Sequence, residues 1–279
     1  MYYPNIDPIF LSIGPIDLRW YGLTYVIAFI ACYLLGNYRS KKFGRVWTTQ
    51  QWSDLVFYGM LGTLIGGRLG YALFYDLGRV LQDPLVVFRI WEGGMSFHGG
   101  LLGVLTAFLV WGRLKGESFF KIADFVAPLV SLGIGFGRLG NFANTELPGR
   151  VTESFLGFHF PCHAVVALNP NCIGEYEPVL RHVSSLYQAF TTGVIVFAVV
   201  WIYSSRQRPL GSVTGLFLTL YGLGRFCTEF FREPDAHLGF ILGNWLSMGQ
   251  LLSLPLIAGG IVLLSPPVSK YLQKKKTSS

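Results

Sequence analysis

Charged residues are scarce in this sequence. Of its 279 residues, 13% are charged and 52% are hydrophobic. Soluble domains usually carry about 25% charged residues, so the shortage excludes an ordinary soluble globular protein. Glycine is abundant instead, with 34 residues, and small residues let membrane helices approach each other closely. The composition therefore predicts one integral membrane domain with several spans.

Cysteine is scarce as well, with four residues and no CxxC pair. Cys32 and Cys227 lie in apolar segments, where we expect them to be inert. Cys162 and Cys172 share one polar loop and form a disulfide if that loop faces an oxidising compartment; the sequence leaves this open. The first 20 residues lack a basic region and a small-residue cleavage site, so we expect no cleavable signal peptide.

Several functional classes are disfavoured by what the sequence lacks. No patch interleaves basic and aromatic residues as nucleic-acid binding would require, although the net charge is +7. The sequence has no inverted internal repeat, a feature of many transporters, and this disfavours a transporter. Paired intramembrane aspartates and a Ser-His arrangement at suitable depth are missing, which disfavours a protease. The inner halves of the apolar segments are almost wholly apolar, unlike a continuous pore.

Apolar runs of about 20 residues indicate membrane-spanning helices. The sequence has seven, at roughly 20–38, 53–75, 95–112, 120–141, 185–204, 213–231 and 247–266. Short basic loops follow alternate runs and belong in the cytoplasm. We predict an all-α polytopic membrane protein of about seven transmembrane helices, with the N-terminus outside and the C-terminus inside. Residues 1–270 form one domain with an irregular outer loop at 145–184, and 271–279 form a basic tail.

This topology places a set of polar residues near the outer membrane face, although they come from different segments. They are Tyr21, Arg68, His98, Arg138, Asn141, Arg225 and Glu229. Ionisable groups at membrane depth are costly and usually mark function. Arginine forks suit phosphate, and a phosphate at this depth belongs to a phospholipid head group. His98 is a candidate general base. The alignment predicts one lipid-binding or catalytic site.

Structural interpretations of the same residues stay open on the sequence alone. Arg68 and Arg138 can extend to the interface as helix anchors. Arg225 and Glu229, four residues apart on one helix face, can be a structural ion pair. His98 can be an ordinary interface histidine. Tyr21 follows a tryptophan and, on composition alone, is best interpreted as an aromatic-belt residue.

Longer motifs add a family resemblance over nearly the whole chain. The chain resembles the prolipoprotein diacylglyceryl transferases of bacterial inner membranes. The matching motifs are RWYGL at 19–23, GGRLGY at 66–71, GMSFHGGLLG at 94–103, GRLGNFANTELPGR at 137–150, YGLGRFCTEFFREPD at 221–235 and SMGQ at 247–250. The resemblance implies seven helices with a periplasmic N-terminus, which is the topology that the charges predict independently.

The family transfers diacylglycerol from phosphatidylglycerol to the lipobox cysteine of a preprolipoprotein, using no metal or soluble cofactor. The resemblance implies phosphatidylglycerol and prolipoprotein signal peptides as partners. It implies that Arg138 and Arg225 hold the lipid phosphate, and that His98 and Tyr21 are functional. Asn141, Glu146 and Gly149 lie in the family signature, and Glu229 matches a family acid. The general base stays open among His98, Glu146 and Glu229. Arg68 is a further predicted lipid ligand.

The chain departs from the family before the fifth run. Members commonly read RHPSQLYE, whereas this chain reads RHVSSLYQ at 181–188, which places Gln188 where members have glutamate. The competing function is a membrane protein that binds or moves lipid with the same arginines and performs no chemistry. His98 favours the enzyme, because lipid binding alone needs no acid-base group.

Overall fold

The computed structural model describes residues 1–14, 16–42, 46–89, 93–234, 239–243 and 245–266. The predicted tail at 271–279 lies outside the described residues. By their internal contacts the residues form two compact units, one of Tyr33–Val126 and the other of Met1–Cys32 with Ala127–Ser279.

The structure is mostly helical and has a helix at each of the seven predicted segments. These helices are α1 (Trp20–Lys42), α2 (Thr49–Phe74), α4 (Phe97–Lys115), α5 (Phe119–Ala143), a composite segment Ser184–Tyr203, α9 (Ser212–Thr228) and α10 (Met248–Leu264). In the described part of the chain, four are long and apolar enough to cross a membrane: Trp20–Lys42, Phe97–Lys115, Phe119–Ala143 and Ser184–Tyr203. Four such helices indicate a multi-pass membrane protein.

Two predicted boundaries are wrong for local reasons. α1 continues past residue 38 through Arg39, Lys41 and Lys42, because long basic side chains tolerate a helix end at a membrane interface. α2 begins earlier than residue 53. The Thr48 side chain accepts from the Gln51 backbone, and the Gln51 side chain accepts from the Thr48 backbone, which is a capping box that starts a helix there.

Within the unit Tyr33–Val126, α2 and α4 pack through glycines. A Cβ atom at Gly62 would lie 2.5 Å from the carbonyl oxygen of Gly103, and one at Gly66 would clash with Gly99. The glycines at these positions therefore allow the two helices to pack closely. The same unit contains the short helix α3 (Leu77–Gln82) and a 3₁₀ turn at Pro84–Phe88.

In its described residues, the other unit contains three two-stranded antiparallel sheets. Their strands are β1 (Ile9–Ile13) with β2 (Ile16–Arg19), β3 (Phe158–Pro161) with β4 (Tyr176–Arg181), and β5 (Phe240–Leu242) with β6 (Leu246–Ser247). The short helix α6 (Cys162–Val165) follows β3. A small core of Tyr3, Phe160, Val165 and Val183 lies beneath β3 and β4. A disulfide joins Cys162 to Cys172, with 5.4 Å between their Cα atoms, and closes the question that the sequence left open.

The composite segment Ser184–Tyr203 has three parts. It begins as α7 (Ser184–Gln188), continues as a π-helical stretch at Ala189–Ile195 and ends as α8 (Val196–Tyr203). A Cβ at Gly193 would lie 2.6 Å from the Cα of Gly135 in α5, so the two helices touch backbone to backbone. α9 and α10 pack together in the same way, because a Cβ at Gly215 would lie 2.8 Å from the Gly260 carbonyl.

Candidate functional site

The end of α5 carries the first part of the candidate site. An Arg138 Nη1–H donates to Asn141 Oδ1 at 3.2 Å, and the amide of Asn141 donates to Glu146 Oε2 at 2.6 Å. Asn144 donates to the other carboxylate oxygen of Glu146 at 3.1 Å. Asn141 is buried, whereas Glu146 is exposed. The amide of Asn141 thus joins the arginine to the carboxylate, which orients both side chains.

Backbone strain surrounds Glu146. The residues on either side, Thr145 and Leu147, have φ angles of 57° and 59°, a region that non-glycine residues rarely adopt. Such strain costs about 1–3 kcal/mol per residue and collects at functional sites. Two hydrogen bonds hold the turn: the Glu146 amide donates to the Asn141 carbonyl at 2.9 Å, and Ser184 Oγ donates to the Leu147 carbonyl at 2.7 Å. Glu146 is therefore held in one position.

The second part of the site lies at the end of α9. Arg225 Nη2 and Glu229 Oε2 are 3.0 Å apart, and Arg232 Nη1 donates to Glu229 Oε1 at 3.3 Å. The Glu229 carboxylate is 3% exposed and thus bridges two cations in the interior. Gly249, next to the first residue of α10, makes the necessary space, since a Cβ there would lie 2.7 Å from Glu229 Oε1.

A terminal nitrogen of the Arg225 guanidinium has no hydrogen-bond partner among the described residues. Arg225 Nη1 is buried and has no hydrogen bond with any described residue. A buried charged donor without an acceptor is costly, and in native structures such groups have a specific reason, such as a catalytic role, a bound water or an ion. The chemistry of the donor fits an anionic oxygen, because guanidinium groups bind phosphate strongly.

The two parts of the site are joined by backbone pairing. Gly149 forms an antiparallel bridge with Arg232, and the Arg150 amide donates to the Phe231 carbonyl at 3.0 Å. A Cβ at Gly149 would lie 2.2 Å from the His182 carbonyl, so only glycine fits. The charge of Arg138 acts on Arg225. The structure therefore brings Arg138, Asn141, Glu146, Gly149, Arg225 and Glu229 into one region of one unit.

Tyr21 joins the same region from α1. Its ring lies 3.0 Å from the position of a Cβ at Gly140, one turn before the end of α5. Its phenol is 3.2 Å from the phenol of Tyr25 and is within electrostatic range of Arg138 and Glu146. The sequence alone favours an aromatic-belt role for Tyr21, and the structure places its side chain against Gly140 and Tyr25, near the end of α5.

Arg68 lies in the other unit and is engaged by the backbone. Its guanidinium donates to the carbonyls of Val86, Val87, Arg89, Gly93 and Gly94. These five bonds use all five donors of a guanidinium. Arg68 thus holds the loop between α3 and α4, and its predicted role as a lipid ligand stays a prediction that these bonds disfavour.

His98 is the second residue of α4, also in the unit Tyr33–Val126. Its side chain is exposed, and its ring meets Phe97 edge to face at 5.7 Å. Ser96 starts the helix, because its Oγ accepts from the Gly99 amide at 3.2 Å. The role of His98 as the general base stays a prediction.

Sequence reasoning missed two residues of the site. Arg232 lies three residues after Glu229 within a motif that resembles the family, and this spacing was the available signal. Gly249 lies in another such motif, but its contact with the Arg225–Glu229 pair depends on the packing of α10 on α9. Among the described residues, no three His, Cys, Asp or Glu side chains converge as a metal site would require.

The chain is similar to the members of one protein family. The model of the family "Prolipoprotein diacylglyceryl transferase" matches residues 8–265. The phosphatidylglycerol–prolipoprotein diacylglyceryl transferase of Oleidesulfovibrio alaskensis is 48% identical over 94% of this chain and 93% of its own length. Proteins of the same name from Vibrio vulnificus and Vibrio campbellii are 50% and 49% identical, over 94% and 99% of this chain and 92% and 96% of their own lengths.

Proposed function

The chain belongs to the prolipoprotein diacylglyceryl transferase family, and on this premise we propose that it transfers the diacylglyceryl group of phosphatidylglycerol to the lipobox cysteine of a preprolipoprotein. It is a transferase of lipoprotein biosynthesis. The observation that carries the proposal is the buried, unpartnered Arg225 Nη1 beside Glu229, because it supplies a phosphate ligand within a chain whose relatives are named for a phospholipid substrate.

The reaction exchanges a carbon–oxygen bond for a carbon–sulfur bond. The thiol loses its proton to a base, since the thiolate is the nucleophile. The thiolate attacks the glycerol carbon that bears the phosphate. A thioether forms, the bond from that carbon to the phosphate oxygen breaks, and glycerol phosphate leaves with the bonding electron pair. The proton passes from the base to bulk water or to the departing phosphate, so that atoms and charge balance.

Arg138 and Arg225 hold the phosphate in this proposal. Charge grows on the phosphate as it leaves, and preorganised guanidinium donors stabilise that charge where it develops. Glu229 and Asn141 position the two arginines through the 3.0 Å ion pair and the 3.2 Å hydrogen bond. Gly149 allows the turn after α5 to pair closely with Arg232. Tyr21 lies in the same region and is a further functional residue of the proposal.

The general base is one of three residues in the proposal. Histidine is the side chain that most often acts as a general base, while Glu146 is exposed in the strained turn. We favour His98, because both carboxylate oxygens of Glu229 are already engaged by Arg225 and Arg232. Glu146 is the second choice.

The proposed setting is the bacterial inner membrane. We propose seven spans with a periplasmic N-terminus and a cytoplasmic C-terminus, one transferase domain over 1–270 that includes the periplasmic region 145–184, and a basic cytoplasmic tail at 271–279. The alternation of basic loops supports this orientation. The disulfide between Cys162 and Cys172 supports an oxidising compartment for the loop.

The test is release of glycerol phosphate. The full-length protein is purified and incubated with phosphatidylglycerol and a synthetic lipobox peptide, and glycerol phosphate is measured. We expect release that requires the peptide cysteine, with a Cys-to-Ser peptide as the matched control. The alternative, a protein that only binds or moves lipid, predicts no release with either peptide while phosphatidylglycerol stays bound.

A further inference from the structure

Gln188 has no role in the proposed reaction, although the environment of its side chain is unusual. Its side chain is fully buried at the end of α7, and neither its Oε1 nor its Nε2 has a hydrogen-bond partner among the described residues. Burying a carboxamide without partners is costly. An unsatisfied group of this kind in a native protein calls for an absent ligand or a functional reason.

The position of Gln188 is fixed by its neighbours one turn away on the same buried face. Ser184 Oγ, one turn before, donates to the carbonyl of Leu147, which follows Glu146. Thr192, one turn after, lies against Gly224, where a Cβ would be 3.1 Å from its Cγ2. Gly224 directly precedes Arg225. The helical turns on either side of Gln188 therefore contact the residue after Glu146 and the residue before Arg225, inside the unit that contains the proposed phosphate ligands.

The backbone changes its form next to Gln188. The π-helical stretch Ala189–Ile195 begins at the following residue. π-helical turns are rare and occur often at functional sites. Gly193 within this stretch touches Gly135 of α5, so the altered turn is held by packing rather than left free. The unpartnered amide and the π-helical turn are independent observations at one place.

We propose that Gln188 determines head-group specificity by hydrogen bonding the hydroxyl groups of the lipid's glycerol head group. This inference rests on the proposed function. The arginines satisfy the phosphate, but the rest of the head group is a neutral polyol, whose hydroxyls both donate and accept. A carboxamide also donates and accepts, and its two unpartnered ends match that chemistry without adding charge. A glutamate at position 188 still provides a hydrogen-bond acceptor, to which a head-group hydroxyl can donate.

The test compares two lipids of equal charge, of which only one has head-group hydroxyls. Phosphatidylglycerol and phosphatidylmethanol are both singly charged phosphodiesters, and the second lacks the hydroxyls. Binding to the full-length protein is measured by native mass spectrometry, and transfer to a lipobox peptide is measured in parallel. The variants are Gln188→Leu, Gln188→Met and Gln188→Glu. The matched control is Thr192→Val, because the Thr192 hydroxyl is already satisfied by the Gln188 carbonyl at 2.7 Å.

We expect the wild type to bind phosphatidylglycerol more tightly than phosphatidylmethanol. Gln188→Leu and Gln188→Met should each lose about tenfold on phosphatidylglycerol and little on phosphatidylmethanol, while Gln188→Glu and Thr192→Val keep the preference. The Met variant gives the same comparison where the Leu variant does not purify. Equal loss on both lipids, no loss, or a wild type without preference would overturn the inference. Absence of transfer with an intact binding preference would count against the proposed function alone.

Discussion

Arg225 and Glu229 form a buried ion pair, 3.0 Å between Nη2 and Oε2, in which the second terminal nitrogen of the arginine is left without a partner. One end of the guanidinium is thus fixed by the carboxylate and the other is available to a ligand. Removing one member of a buried pair leaves the other charge uncompensated, which costs about 3–5 kcal/mol. The role of the pair is therefore best tested by a substitution nearby that displaces the two side chains and removes neither charge.

Gly249→Ala displaces the pair without changing a charge. The added Cβ would lie 2.7 Å from Glu229 Oε1 and 3.0 Å from Arg225 Nη2, so one of these groups must move. We expect kcat/KM for phosphatidylglycerol to fall about 10- to 100-fold, because a misplaced catalytic group is costly even over small distances. Gly259→Ala is the matched control in the same helix, since its Cβ meets nothing within 4 Å. Equal activity of the two variants would contradict this role of the pair.

Asn141→Leu removes the amide that joins Arg138 to Glu146. Both of its hydrogen bonds are lost, at 3.2 Å and 2.6 Å, and the arginine is no longer oriented. We expect kcat/KM to fall about tenfold or more, since hydrogen bonds to charged groups contribute about 1.5–3 kcal/mol each. Asn144→Leu is the control, because Asn144 contacts Glu146 but not Arg138 among the bonds observed. A larger loss of kcat/KM in Asn144→Leu than in Asn141→Leu would contradict this and assign the orienting role to Asn144.

The disulfide between Cys162 and Cys172 should stabilise the region around β3 and β4. It closes a loop across ten positions of the sequence, and a loop of this size is worth about 2–4 kcal/mol. Cys162→Ser with Cys172→Ser should make this region sensitive to limited proteolysis while transfer continues. Cys227→Ser, which alters a free cysteine, should change neither. Unaltered proteolysis of the double variant would show that the disulfide adds nothing to this region.

Glu177 should make the same region sensitive to acid. Burial raises the pKa of its carboxyl, but hydrogen bonds from Arg181 and Asn169 outweigh burial and hold the pKa below 4.5. A depressed pKa gives stability that is present above the unfolded-state pKa and lost as the pH falls through the folded-state value. Protease resistance of β3 and β4 should therefore fall below about pH 4.5.

The variant Glu177→Gln should have lower protease resistance at neutral pH and little further loss on acidification. Glu153→Gln changes an exposed carboxylate of the same region and should keep the wild-type pH profile. A wild-type profile in Glu177→Gln as well would assign the acid sensitivity to another group.

The positions of the helices could be predicted from the sequence because apolar runs of spanning length are a local signal. Their ends could not, since the capping box of Thr48 and Gln51 and the basic end of α1 extend helices past the apolar run. Arg138, Arg225 and Glu229 were found through the cost of polar groups at membrane depth. Glu146 was found only through the family resemblance, and Arg232 was missed. The close fit of Gly249 to Glu229 and the five carbonyl bonds of Arg68 depend on tertiary packing, which no local pattern contains.

The most direct test of the transferase assignment and its phosphate ligands is the intact mass of a lipobox peptide after incubation with phosphatidylglycerol and the purified protein. Arg138→Ala is the informative variant, and Arg113→Ala, which alters an exposed arginine at the end of α4, is its control. The account predicts a gain of one diacylglyceryl group with the wild type and with Arg113→Ala, and none with Arg138→Ala. No mass gain with a wild-type protein that binds the lipid, or full gain with Arg138→Ala, would contradict it.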